Sequence, residues 1–257
     1  MKFIVLTIFP NMFDHFWEFG IVGRAIKEHI ISASAINIRD FASGKHRTTD
    51  DRPYGGGTGM VMKPEPLAEA IQFARKSLPE GMVVLLSPQG RVFNQEMAEQ
   101  LARVSGLILV CGRYEGVDER ICESLVDMEI SIGDYILTGG EPAGMVLMDA
   151  VTRLMPGALG GDDSAQKESF SNGLLEHAHF TRPRAYQESQ IPEVLFSGNH
   201  RRIEEWRMES ALIRTFLKRK DLLEARTLST EEVEILKKWS RDLEKIIDAQ
   251  AKPETTT

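Results

Sequence analysis

Cysteine is almost missing from this chain. Cys111 and Cys122 are the whole supply in 257 residues. Two thiols give no disulfide framework and no four-ligand zinc site. They read as reduced thiols in a cytoplasmic protein. Long apolar runs are missing as well. None reaches the ~18 residues that a membrane-spanning helix needs, so no membrane partner is expected. The chain runs at once into the apolar stretch Lys2 to Phe9, with no small-residue cleavage site behind it. That stretch reads as a buried strand and not as a signal peptide. Hydrophobic residues still make up 42% of the chain, which supports a real core and excludes global disorder.

Common nucleotide and nucleophile motifs are lacking too. There is no G-x-x-x-x-G-K-[ST] loop, which disfavours an NTPase. Gly55, Gly57 and Gly59 formally match a G-x-G-x-G loop of Rossmann-like type, but the residues before them are charged and polar, not a strand. G-x-G-x-x-G fails at Met60. No G-x-S-x-G elbow is present, and neither cysteine has a histidine within a few residues, so hydrolase readings are weak. His177 and His179 stand two apart with no Cys or further His nearby, and no metal site is expected there.

The net charge of −7 argues against a nucleic-acid partner only until its distribution is considered. Residues 1–172 hold 16 Lys+Arg against 23 Asp+Glu, whereas residues 173–257 hold 15 of each. Within 182–226 the count is 10 basic to 7 acidic. Arg182/Arg184, Arg201/Arg202 and Lys218-Arg219-Lys220 are clusters that can meet phosphates or serve as a solvated helix face.

The front part alternates strand-like runs (2–9, 34–38, 82–87, 106–111, 129–133) with helical patterns (11–31, 65–77, 94–104, 117–126, 141–155). This predicts an α/β domain with a mostly parallel sheet. Small and polar residues then read as an interdomain linker over 160–172. Amphipathic helices are expected at 200–218 and 229–249. Ile203, Trp206, Ile213, Phe216 and Leu217 should share a face of the first, and Ser229 with Glu232 forms a capping box for the second. The expected division is an α/β domain over 1–159, the linker, a helical domain over 173–250 and a disordered tail over 251–257.

Glycine is where the chain is rich. Three apolar runs end in Ser87-Pro88-Gln89-Gly90-Arg91, in Gly112-Arg113-Tyr114-Glu115-Gly116, and in Ser131 to Pro142 with Gly133, Gly139 and Gly140. Such loops at the carboxyl ends of parallel strands read as the lining of one pocket. Few strong charges occur there beyond Arg113, Glu115 and Asp134. Backbone N–H and C=O groups suit an adenine edge better than a triphosphate. Tyr114 and Tyr135 either pack on a flat ring or serve as core aromatics. The segment Arg47 to Met60 is either a surface loop or one that closes over a substrate. Arg153 either complements the dipole of the helix it ends or takes part in chemistry.

Taken together and in order, Asp50-Asp51-Arg52-Pro53-Tyr54-Gly55-Gly56-Gly57, Ser87 to Arg91, Cys111 to Arg120, Ser131 to Glu141 and Thr181-Arg182-Pro183 resemble the bacterial tRNA (guanine-N1)-methyltransferases of the SPOUT superfamily. The resemblance spans about residues 1–245. It implies a trefoil-knotted α/β domain followed by a small helical C-terminal domain, against the general expectation of unknotted chains. It implies S-adenosylmethionine held by Ser87, Pro88, Gly112, Tyr114, Glu115, Ile132, Gly133, Asp134, Tyr135, Ile136, Leu137, Gly139 and Gly140. It further implies a homodimer with shared active sites, and tRNA as substrate, methylated at guanine thirty-seven. Magnesium is implied as an auxiliary ion. Glu168 stands where the family usually has aspartate and is the expected general base, with Arg153 stabilising charge on the guanine. Asp50, Arg52, Tyr54, Gly57, His179, Arg182 and Arg184 are the expected substrate contacts. The order Glu141-Pro142-Ala143-Gly144 departs from the commoner one, in which proline comes one residue later. A SPOUT relative acting on another RNA atom, or a tRNA-binding protein without activity, stays open at this point.

Overall fold

The structure is a computed structural model, in which residues 1–160 and 168–250 are described. Most of the expected linker and the whole expected tail lie outside the described residues. The chain divides into two compact units, Met1–Ala165 and Gln166–Thr257.

In chain order the first unit carries β1 (Lys2–Thr7), α1 (Gly20–Lys27), β2 (Ser32–Asn37), β3 (Asp50–Asp51), β4 (Val61–Met62), α2 (Pro64–Ser77), β5 (Met82–Val92), α3 (Gln95–Leu101), β6 (Gly106–Cys111), α4 (Glu119–Leu125), β7 (Met128–Ser131) and α5 (Glu141–Thr152). Five of the strands form one sheet in the order β2-β1-β6-β5-β7. Every pairing in it is parallel, as the strand–helix alternation predicts. Every residue of β6 is buried, as befits a central strand covered on both faces.

Side chains alternate across a strand, so each strand feeds two cores. Phe3, Val5, Val84, Leu86, Leu107 and Leu109 face α1, α3 and α5, meeting Val22, Met97, Leu101, Leu147 and Val151. Ile4, Leu6, Val83, Leu85, Ile108 and Val110 face the opposite way and pack on Leu67, Ala70 and Ile71 of α2 and Ile121 of α4.

Two expectations need correction here. The helical pattern over 11–31 does not make one helix. Pro10–Phe13 is a 3-10 turn, and α-helix occupies only Gly20–Lys27. Phe19 is extended and Gly20 has φ +66°, which breaks the helical path before α1. The strand expected at 82–87 is longer. Ile130 of β7 pairs with Leu86 and again with Arg91, so Ser87 to Gly90 bulge out of the ladder. Gly90 lies directly against the backbone of Glu129 and Ile130, where a β-carbon has no room.

The second unit carries the two-residue strands β8 (Ala185–Tyr186) and β9 (Ser189–Gln190), then α6 (His200–Lys218), α7 (Lys220–Glu224) and α8 (Thr230–Gln250). The capping box forms reciprocally. The Glu232 N–H donates to Ser229 Oγ at 3.2 Å, and the Ser229 N–H donates to Glu232 Oε2 at 2.7 Å. Of the expected apolar face of α6, Ile203 and Trp206 are half-buried and the rest is not covered. Leu212 and Thr215 are buried, while Ile213, Phe216 and Leu217 are exposed. Thr215 tolerates burial because its hydroxyl accepts from the Leu175 N–H at 2.9 Å and donates to the Ala211 carbonyl at 2.7 Å.

Candidate active site

Parallel strands leave their unpaired ends on one edge of the sheet. There the segments after β5, β6 and β7 enclose a cavity of about 430 Å³. Every residue expected to hold the cofactor lines it except Asp134. Gln89, Val117 and Thr138 of the same loops line it as well, and so do Cys122 and Glu129, which were not expected. Close backbone packing brings these loops together. The Gly140 N–H donates to the Gly112 carbonyl at 2.8 Å, and Arg113 forms an antiparallel bridge with Gly139. A β-carbon on Gly140 would stand 2.8 Å from the Cys111 Cα, so glycine is required there. Tyr114 and Tyr135 are exposed, not core aromatics, and Tyr114 has φ +61°.

A buried polar node stands behind this wall. Glu141, at the first turn of α5, has a fully buried side chain. It accepts from Thr7 Oγ1 at 2.7 Å and from Arg113 Nε at 2.9 Å. Arg113 Nη1 also donates to the Thr138 carbonyl at 3.2 Å, and its guanidinium lies 4.6 Å from the centre of the Phe9 ring. One arginine thus ties the end of β1, the loop after β6 and the loop before α5. Among the described residues, the cavity's single arginine is therefore committed to the protein itself, and no lysine lines the cavity.

Both cysteines are held toward the thiol form. Burial, reinforced by the Glu141 carboxylate, pushes the Cys111 thiol well above its ordinary range. Cys122 is pushed up to about 11 by burial and then by Glu129 and Glu119.

The segment 47–60 is held beside the cavity. Asp50 and Asp51 pair with Met62 and Val61 in a two-residue antiparallel ladder. The Glu115 N–H donates to the Met60 carbonyl at 2.9 Å, and the Met62 N–H donates to the Gly116 carbonyl at 2.9 Å. Arg52, Tyr54 and Gly57 are exposed between these anchors, and Asp50 is half-buried. Gly55, Gly56, Gly57 and Gly59 all have positive φ, so this loop depends on glycine for its path.

Arg153 caps the C-terminal end of α5, its N–H donating to the Asp149 carbonyl at 3.1 Å. It does not line the cavity. Glu168 belongs to the second unit, with its carbonyl accepting from the Ser171 N–H. In the same unit Arg184 lies 4.5 Å from the centre of the Phe196 ring, Arg182 precedes a cis proline, and His179 is exposed beside Glu176. Among the described residues, Glu176, His177 and His179 are the one group of three side chains able to hold a metal ion. Two imidazoles do not suit magnesium.

Residues 1–225 match the family described as tRNA (Guanine-1)-methyltransferase TrmD. The chain belongs to this family. It is 56% identical over 250 residues to the tRNA (guanine-N(1)-)-methyltransferase of Desulfatibacillum aliphaticivorans, covering 97% of this chain and 95% of that protein. To the enzyme of the same name from Pseudomonas fluorescens it is 51% identical, over 93% of this chain and 96% of the relative. To that from Dictyoglomus turgidum it is 49% identical, over 95% and 98%. The chain is thus a methyltransferase of this family. No described helix is long and apolar enough to cross a membrane.

Proposed function

We propose that this methyltransferase transfers a methyl group from S-adenosylmethionine to N-1 of the guanine at nucleotide thirty-seven of tRNA. The observation that carries the reading is the cavity at the ends of β5, β6 and β7, in a chain of this family. Its volume of about 430 Å³ falls in the range of small-molecule sites. Its donor set fits an adenosine. Glycine backbone from three loops offers donors and acceptors, Ile130, Leu137 and Ala143 offer apolar contact, and Arg113 is already neutralised by Glu141. A triphosphate would find no free positive charge on this wall. The bound cofactor supplies an electrophilic methyl group on sulfur. The hydrogen-bonded loops, with Gly140 against Gly112, suit a trefoil-knotted SPOUT domain over 1–159.

Guanine N-1 carries a proton, so a base must remove it. The negative charge this leaves toward O-6 is discharged when N-1 takes the methyl group and S-adenosylhomocysteine departs. Glu168 accepts that proton, and Arg153 stabilises the charge. The base is flipped from its stack to meet Glu168. Arg153 does not line the cavity of its own chain, which accords with a homodimer whose sites are completed by a second copy. The basic clusters of the helical domain over 173–250, with His179, Arg182 and Arg184, meet the tRNA backbone in the cytoplasm. Asp50, Arg52, Tyr54 and Gly57 close over the target nucleotide from a loop anchored beside Glu115. No step is routed through magnesium.

Mass-spectrometric mapping of the methylated nucleotide tests this reading. A single N-1-methylguanine beside the anticodon is expected. A methyl group on a ribose oxygen or another base would replace it with a different SPOUT activity. A chain that fails to bind S-adenosylmethionine in a calorimetric titration would be a tRNA-binding protein without this chemistry.

A further inference from the structure

Glu176, His177 and His179 each offer one ligand atom, and these three atoms lie within 4.8 Å of one another. His179 Nε2 stands 3.1 Å from Glu176 Oε1. The two imidazole rings face each other with centroids 4.6 Å apart and planes 47° from parallel. Both histidine rings thus stand on the same side of the chain. The glutamate between Leu175 and His177 then supplies the third donor.

The segment that carries these donors is fixed before any ligand arrives. The Leu175 N–H donates to Thr215 Oγ1 at 2.9 Å, the Glu176 N–H to Ser169 Oγ at 3.0 Å, and the Ala178 N–H to Ser210 Oγ at 3.0 Å. Arg214 Nε donates to the Glu176 carbonyl at 3.2 Å. The His177 ring meets Trp206 edge-on, 6.2 Å between centroids at 79°. The nearby cation Arg207 is paired with Glu204 at 2.6 Å. Side-chain hydroxyls and one indole thus hold a set of two imidazoles and a carboxylate in register on α6.

We propose that these three residues bind a borderline divalent transition-metal cation, with zinc as the type ion. Two nitrogen donors and one carboxylate oxygen are its usual ligands, whereas magnesium and calcium take oxygen cages. A tetrahedral zinc ion with bonds of ~2.0–2.1 Å holds its donors roughly 3.3 Å apart. Glu176 and His179 already meet that spacing, and side-chain rotation of the exposed His179 brings the set together. The remaining position opens to water, because the His179 side chain is 64% exposed.

The test uses the full, tag-free chain freed of metal, titrated with zinc chloride in competition with a chromophoric chelator. His177→Phe keeps the ring against Trp206 and removes the nitrogens. Glu176→Gln keeps the shape and removes the charge. His15→Ala, which leaves this cluster untouched, is the control. One equivalent of zinc bound by the wild type is expected, with affinity at least tenfold weaker in H177F and E176Q, unchanged in H15A, and circular dichroism unaltered throughout. Cobalt(II) should show visible ligand-field bands that H177F abolishes. Failure of the wild type to take up one equivalent, or equal uptake by H177F, would overturn the proposal. Both readouts are independent of methyl transfer.

Discussion

Replacing Glu141 with alanine removes the one counter-charge of Arg113 from a place that water hardly reaches. The Arg113 side chain is 16% exposed and that of Glu141 is not exposed at all. The change leaves a mostly buried guanidinium unpaired and takes the acceptor from Thr7 Oγ1. Breaking such a pair from one side costs ~3–5 kcal/mol. Glu141→Gln keeps the shape and one accepting oxygen, but its amide nitrogen takes the place of the other acceptor and the Arg113 charge stays uncompensated, so it spares only part of the loss. The assay is urea unfolding followed by Trp17 fluorescence, with Trp206 and Trp239 changed to phenylalanine in every protein compared. That isolates the first unit, because Trp17 is its only tryptophan. At a urea slope of ~1.5–3 kcal/mol/M, E141A should lower the midpoint by about 1–3 M, with E141Q between it and the wild type. Arg113→Met combined with Glu141→Leu should recover part of the loss, because no orphaned charge remains. A shift of E141A below about 0.3 M would refute the claim that this ion pair holds the cavity wall.

Further consequences can be checked on the same chain. Gly140→Ala forces a β-carbon against the Cys111 and Gly112 backbone, so it should cost ~1–3 kcal/mol and weaken cofactor binding in a calorimetric titration. Glu168→Gln should slow single-turnover methyl transfer by ~10²–10⁴-fold while leaving cofactor binding intact, and Glu168→Asp should stay active. In the second unit, burial pushes the Glu232 carboxyl upward. The Ser229 N–H, Arg226 and the Ser229 hydroxyl outweigh burial and hold it below the ordinary range. Its contribution to stability is therefore fully present above the unfolded carboxyl pKa and lost as pH falls through the depressed folded value. Glu232→Gln should remove that part of the acid sensitivity, measured as unfolding midpoints of the second unit between neutral and acid pH.

How far the residues announce this structure depends on how local each signal is. β1 and β6 were legible because buried parallel strands are continuous apolar runs. The extension of β5 through Ser87 to Val92 was not, because its polar residues bulge out of the ladder before the pairing resumes at Arg91. The pattern Phe13, Phe16 and Trp17 reads as a helical face, yet a 3-10 turn and bends place these rings together without a helix. The two-residue ladders of β3 with β4 and β8 with β9 are too short to leave a period. The cavity loops were visible as glycine clusters after apolar runs. Their clamp was not, because Thr7 and Glu141 stand 134 residues apart and nothing local joins them. The same holds for the histidine pair. Its spacing was plain, but whether Glu176 turns toward His179 depends on the anchoring of this segment on α6.

The central claim is methyl transfer to guanine thirty-seven. Its most direct measurement is a single-turnover assay with radiolabelled S-adenosylmethionine on two tRNA transcripts that differ only in guanine or adenine at that nucleotide. One methyl group per guanine transcript and none on the adenine transcript is expected. Equal labelling of both, or of neither, would contradict it.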